Sequence, residues 1–213
     1  MKNQILARMI DCGVVAVIRA PSDAVLPDIA RALIAGGVVA IEVTMTTPNA
    51  LHGIEHLRGL LGDEAVVGVG TVLDAATCQD AIHAGAQFVV SPVFNAAVVD
   101  TAKKHEIVSI PGAFTPTEIL AAWNAGADVV KVFPATSLGP AYFKDLLAPM
   151  PFLKLTPTGG VEVKSTTEWI KAGAVCVGAG SSLVSKEMLA KSDWNGMTAI
   201  AKEFIQAVRK GRG

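Results

Sequence analysis

The feature that most constrains this chain is a series of eight short, nearly unbroken apolar runs, separated by segments long enough to form helices. The runs are Val14–Arg19, Val38–Met45, Ala65–Gly70, Gln87–Ser91, Ile107–Ile110, Asp128–Phe133, Leu153–Pro157 and Val175–Ala179. A strand with one face in water alternates polar and apolar residues, whereas a parallel strand covered on both faces is apolar throughout. Parallel neighbours need long crossovers, and the intervening segments supply them. Helix-start signals stand in those segments at Ser22-Asp23, Thr47-Pro48-Asn49, Asp74 and Thr115-Pro116-Thr117-Glu118. A weak repeat marks helix ends: Ala35-Gly36-Gly37, Ala84-Gly85-Ala86, Ala125-Gly126-Ala127 and Ala172-Gly173-Ala174 each precede a strand run. Glycine suits the left-handed position that stops a helix before a short turn. The pattern predicts an α/β fold, a (β/α)8 TIM barrel in a single domain spanning 1–213. A doubly wound open sheet is the competing architecture. Against it, the first run leads into Ala20-Pro21-Ser22-Asp23 rather than a glycine-rich dinucleotide turn.

Composition narrows the function classes. Lys+Arg 18 against Asp+Glu 19 leaves a net charge of -1 with no basic stripe, which argues against a nucleic-acid partner. With 7 Phe, 3 Trp and 1 Tyr there are few platforms for stacking bases. Hydrophobic residues make up 51% and charged residues 17%, as expected of a chain with a large core. No apolar run approaches the ~18 residues of a membrane span. Met1-Lys2-Asn3 leads to Arg8 and Asp11 rather than to a signal-peptide core. Cys12, Cys78 and Cys176 are too scattered for a disulfide framework or a structural zinc site. The expectation is a soluble cytoplasmic protein with no membrane or nucleic-acid partner.

In a barrel of this kind, chemistry sits at the C-terminal strand ends. Lys131, inside Asp128-Val129-Val130-Lys131-Val132-Phe133, shares a face with Val129 and Phe133. Either its head snorkels to the rim, or burial strips its hydration, lowers its pKa and frees a nucleophilic amine. Glu42, late in the second run, shares a face with Ala40 and Thr44. A buried carboxylate there either pairs structurally with a cation such as Lys131 or acts as a general base. The seventh and eighth runs end in Thr158-Gly159-Gly160 and Gly178-Ala179-Gly180-Ser181. Barrels bind phosphate in these two loops through backbone N–H groups, although plain tight turns would read the same. Arg19, Thr71, Pro92 and Pro111 end or follow other runs. His52, His56, His83 and His105 fall in helical segments away from these ends, so no metal site is expected.

Taken in order, Glu42-Val43-Thr44, Gly68-Val69-Gly70-Thr71-Val72-Leu73, Val90-Ser91-Pro92, Ile110-Pro111-Gly112, Lys131-Val132-Phe133-Pro134-Ala135, Pro157-Thr158-Gly159-Gly160-Val161 and Gly180-Ser181 resemble the motifs of the 2-keto-3-deoxy-6-phosphogluconate / 4-hydroxy-2-oxoglutarate aldolase family. The resemblance implies a class I, metal-independent aldolase without a cofactor, usually a homotrimer. Its substrate would be a phosphorylated 2-keto acid, cleaved to pyruvate and glyceraldehyde 3-phosphate. Whether 4-hydroxy-2-oxoglutarate is also cleaved, to pyruvate and glyoxylate, the resemblance leaves open. By the same resemblance Lys131 is the Schiff-base lysine and Glu42 the acid/base. Thr71 contacts the pyruvate carboxylate, Phe133 and Pro92 form pocket wall, and Thr158 touches substrate. Gly159, Gly160, Gly180 and Ser181 hold phosphate. One departure stands out: many members carry an arginine two residues after Glu-Val-Thr, where this chain has Thr46. Arg19 is the cation placed by alternation to substitute for it. Competing readings are an aldolase for the galactonate-derived isomer, a phosphosugar isomerase or epimerase, and a silent sugar-phosphate-binding barrel. A lysine inside its strand counts against the last two, which need no neutral amine.

Overall fold

The apolar runs become parallel strands because neither of their faces can stay in water. A computed structural model describes residues 1–213. The strands are β1 (Val14–Ile18), β2 (Ala40–Thr44), β3 (Val66–Gly70), β4 (Phe88–Val90), β5 (Val108–Ile110), β6 (Gly112–Ala113), β7 (Val130–Val132), β8 (Leu155–Pro157) and β9 (Val177–Ala179). The fifth run continues past its expected end and breaks into β5 and β6 at Pro111, which has no N–H to give to the ladder. Counted as one, these two make eight strands.

One sheet runs β5-β4-β3-β2-β1-β9 and the other β6-β7-β8, with every pairing parallel. Backbone bonds close both seams. Lys131 N donates to Pro111 O at 2.9 Å and Asp128 N to Ser109 O at 3.0 Å. On the other side Val175 N donates to Leu155 O at 3.0 Å, and Thr158 bridges Gly178. The ring is therefore a TIM-type barrel.

The helices are α1 (Lys2–Cys12), α2 (Leu26–Ala35), α3 (Ala50–Leu61), α4 (Ala75–His83), α5 (Ala96–Lys104), α6 (Pro116–Asn124), α7 (Ala141–Leu147), α8 (Val163–Lys171), α9 (Lys186–Lys191) and α10 (Trp194–Arg212). Two of the four start signals cap their helices as their chemistry requires, and two do not. The Asp74 carboxylate accepts from Thr77 N at 2.8 Å, and Thr115 and Glu118 form a capping box. Ser22-Asp23 opens a short 3-10 turn, Asp23–Val25, before α2 begins. Asn49 precedes α3 in a left-handed conformation and makes no capping bond. At the repeated helix ends Gly37, Gly85, Gly126 and Gly173 have φ of 90, 97, 103 and 101°. His105 lies just beyond α5, at its C-cap.

Six helices carried no start signal in the sequence reading: α1, α5, α7, α8, α9 and α10. The first has a structural task. Ile5, Leu6 and Met9 of α1 pack with Val15, Val66, Phe88, Val108 and Val129 in a cluster that fills the N-terminal half of the barrel interior. The outer strand faces join the surrounding helices in a separate cluster of 50 buried residues. The C-terminal half of the interior is instead polar, with Glu42, Lys131, Thr156 and Thr158 all buried. No helix is long and apolar enough to cross a membrane.

Candidate active site

Alternation along β2 and β7 turns Glu42 and Lys131 inward. Lys131 is 5% exposed, and its Nζ lies 5.0 Å from the centroid of the Phe133 ring. Burial pushes its pKa below the ordinary lysine value; nearby Glu42 raises it and Arg19 lowers it further. Glu42 is 2% exposed, and burial pushes its carboxyl above the ordinary range, opposed by the charges of Lys131 and Arg19. Neither residue enters any ion pair of the molecule, and Glu42 Oε1 has no hydrogen-bond partner. The two groups therefore act on each other through the interior without contact. Together with Thr156 and Thr158 they line a cavity of about 10 Å³, walled on its apolar side by Val15, Val90 and Ile110.

A larger pocket of about 250 Å³ opens toward the C-terminal ends of the strands. It shares Thr158 and Gly178 with the inner cavity, so the two spaces adjoin there. Arg19, Phe133, Thr158, Gly159, Gly160, Gly180 and Ser181, each anticipated from the sequence, line it together. Gly159 and Gly160 have φ of 92 and 70°, so this turn requires glycine for its conformation as well as for close approach.

Thr71 and Pro92 lie at the same end of the barrel, after β3 and β4, but line neither space. Thr71 is held at a φ of 62°, an uncommon conformation for a β-branched residue. The Pro92 carbonyl lies against Gly112, where a side chain would collide with it. Thr46 belongs to a separate groove with Met45, Pro48, Asn49 and His52. Its hydroxyl is 2.7 Å from Thr44 Oγ1, which donates to Ile18 O at 2.9 Å.

The sequence reading missed Val17, Thr156, Glu162 and Ser182. Thr156 lines the inner cavity and donates to Cys176 O at 3.0 Å; it stands two residues before Thr158, so strand periodicity carried its signal. Val17, Glu162 and Ser182 line the outer pocket, and the Ser182 hydroxyl donates to Val161 O at 2.6 Å. No group of three His, Cys, Asp or Glu side chains is arranged to hold a metal ion. His52 instead lies 2.6 Å from Asp23.

A desolvated amine, a carboxyl held toward its protonated form and a glycine-lined pocket make up a site for imine chemistry on an anionic carbonyl compound. The family described as KDPG and KHG aldolase matches residues 5–200. The chain belongs to that family. It is 39% identical over 181 residues to the 2-dehydro-3-deoxy-phosphogluconate aldolase of Treponema pallidum, covering 84% of this chain and 86% of that one. It is 31% identical over 179 residues to the 2-dehydro-3-deoxy-6-phosphogalactonate aldolase of Escherichia coli, covering 84% and 87%. Among solved structures, the KDPG aldolase of Legionella pneumophila superposes with a TM-score of 0.87 at 31% identity, covering 95% of this chain and 98% of that one. That enzyme was captured with pyruvate as a covalent carbinolamine intermediate.

Within this KDPG/KHG family barrel the carboxyl of Glu42 has a measurable thermodynamic signature. Its folded pKa is raised above the unfolded value, so ionising it costs stability as pH rises through the folded pKa. Below the unfolded value both states are protonated and the cost vanishes. Glu42→Gln is therefore expected to raise Tm relative to the parent above neutral pH. The gap should close as pH falls below the ordinary carboxylate range, as followed by thermal unfolding across pH. A gap that widened toward acid would contradict the raised pKa.

Proposed function

We propose that this chain is a class I pyruvate aldolase, reversibly cleaving a 2-keto-3-deoxy-6-phosphogluconate-type acid to pyruvate and glyceraldehyde 3-phosphate. By the same chemistry it cleaves 4-hydroxy-2-oxoglutarate to pyruvate and glyoxylate. The observation that carries this reading is the unpaired, buried Lys131 facing Glu42 beneath a glycine-lined pocket. Family membership and the carbinolamine of the Legionella relative support it.

The neutral Lys131 amine adds to the C2 ketone; protonated Glu42 gives its proton to the departing hydroxyl, and the carbinolamine loses water to give an iminium, leaving Glu42 as carboxylate. The C3–C4 bond then breaks, its electrons passing into the iminium to form an enamine. The C4 hydroxyl proton goes to Glu42, and the aldehyde leaves. Glu42 returns a proton to C3, and hydrolysis of the imine releases pyruvate and the free amine. In this reading Thr71 holds the pyruvate carboxylate, Phe133 and Pro92 wall the reacting carbons, and Thr158 contacts substrate. Gly159, Gly160, Gly180 and Ser181 cradle the phosphate through N–H groups and a hydroxyl. Arg19, which lines the outer pocket, takes the place of the cation that Thr46 does not supply.

The functional unit is read as one domain over 1–213, assembled as a homotrimer. Leu73, Val93 and Phe114, following β3, β4 and β6, are 54%, 53% and 38% exposed at one end of the barrel and supply apolar surface for assembly. The free thiols Cys12, Cys78 and Cys176 are consistent with a reducing, cytoplasmic setting.

Borohydride reduction in the presence of pyruvate should add one pyruvyl-sized mass per chain, mapping to the peptide that contains Lys131. Lys131→Ala should lose both adduct and cleavage. An adduct on another lysine would overturn the assignment. A hydrogen bond to a charged group contributes about 1.5–3 kcal/mol. Arg19→Met should accordingly lower kcat/KM by about one to two decades in a steady-state assay; unchanged kinetics would remove Arg19 from the site. Light scattering on the purified protein should return the mass of a trimer, and a monomer mass would refute the assembly.

A further inference from the structure

We propose that Gly70 is a positioning residue: its missing side chain is the seat of the Glu42 carboxyl and keeps that carboxyl off Lys131. The proposal rests on the acid/base role of Glu42 given above. Gly70 pairs with Thr44 across β2 and β3, and its φ lies outside the left-handed region, so the backbone does not demand glycine there. Space does. A Cβ built on Gly70 would lie 2.5 Å from Glu42 Cδ and 2.7 Å from Cγ, and would overlap Oε1. Carbon atoms in contact stand about 3.5–4.0 Å apart, so the glutamate side chain occupies the volume a residue at position 70 would fill. This also accounts for Oε1, which is buried without a partner.

The consequence reaches the nucleophile. Because Cγ itself is crowded, a side chain at position 70 would turn Glu42 from its base rather than tilt its carboxylate. The space open to it is the inner cavity of about 10 Å³ that it shares with Lys131. A carboxylate driven there approaches the ammonium and holds its proton. The charged groups that act on Glu42 are Lys131 on β7 and Arg19 at the end of β1. Among these Lys131 alone shares the inner cavity.

A double-mutant cycle with alanine at position 42 tests this, since alanine removes Cγ, Cδ and the carboxyl oxygens, the atoms an added methyl would meet. Gly70→Ala should lower kcat/KM on the order of a hundredfold, the scale of a misplaced catalytic group. It should also move the pH dependence of borohydride-trapped pyruvate adduct to higher pH. In the Glu42→Ala background, where there is no carboxyl left to displace, the same Gly70→Ala change should cost less than threefold of the residual kcat/KM, on the order of the additivity error for independent sites. Additive costs, or an unmoved pH profile in Gly70→Ala, would overturn the proposal and leave the aldolase reading intact. Full activity in Glu42→Gln would overturn the role of Glu42 and the proposal with it. If Gly70→Ala does not fold, recovery of the folded state by Glu42→Ala supports the seat, and failure to recover it counts against the seat.

Discussion

Removing the Lys131 ammonium from water is the constraint on which the rest of this structure turns. An amine in solution is protonated at neutral pH and cannot attack a ketone; desolvation disfavours the charged form and frees the lone pair. That requires a closed, dry interior. Backbone bonds at both seams of the barrel close its wall, and α1 stops its N-terminal end with Ile5, Leu6 and Met9. An ionisable group buried without a partner is destabilising, and the molecule carries two, Lys131 and Glu42. The apolar cluster between strands and helices offsets that cost by burying 50 residues.

The barrel divides its labour by height. The proposed chemistry lies low, where Lys131 and Glu42 line a cavity of about 10 Å³. The proposed anion site lies higher, where left-handed Gly159 and Gly160 and the loop after β9 line the outer pocket. Backbone N–H groups bring no ammonium of their own, so they hold an anion without competing with Lys131 for a proton. Glu162 lines the same outer pocket, and Lys164, 2.8 Å away, offsets its charge. Glycine serves space as well as conformation in this interior. Gly68 leaves room for the Phe88 ring, Gly70 for Glu42 and Gly178 for Thr158.

Much of this was legible in the chain. The eight apolar runs announce strands covered on both faces, and the Ala-Gly repeats announce helix ends with left-handed glycines. Lys131 and Glu42 were visible because a charge inside a β-branched run contradicts its surroundings, and such contradictions mark function. Less was visible where the pattern is weak or local rules compete. The break at Pro111, with strand structure resuming at Gly112, depends on the partner strand β7 supplying the ladder. The helix α1 has no capping side chain and owes its place to packing against the barrel, whereas α9 and α10 start at Ser185 and Asp193, single capping residues that stand outside any obvious motif. Thr156 was passed over because a threonine in a strand is ordinary until its face is known.

What the sequence by itself determined was therefore the class of fold, the height at which polar groups stand in it, and the family. Hydrophobic periodicity, glycine placement and the ordered motifs are properties of the chain alone. Only the tertiary structure decided which of those groups share a space. It brings Arg19 to the pocket of Thr158 and Ser181, leaves Thr46 in a separate groove and sets Glu42 against Gly70. The reason is physical: strand alternation says which way a side chain points, whereas barrel closure and the register between strands say what it meets there.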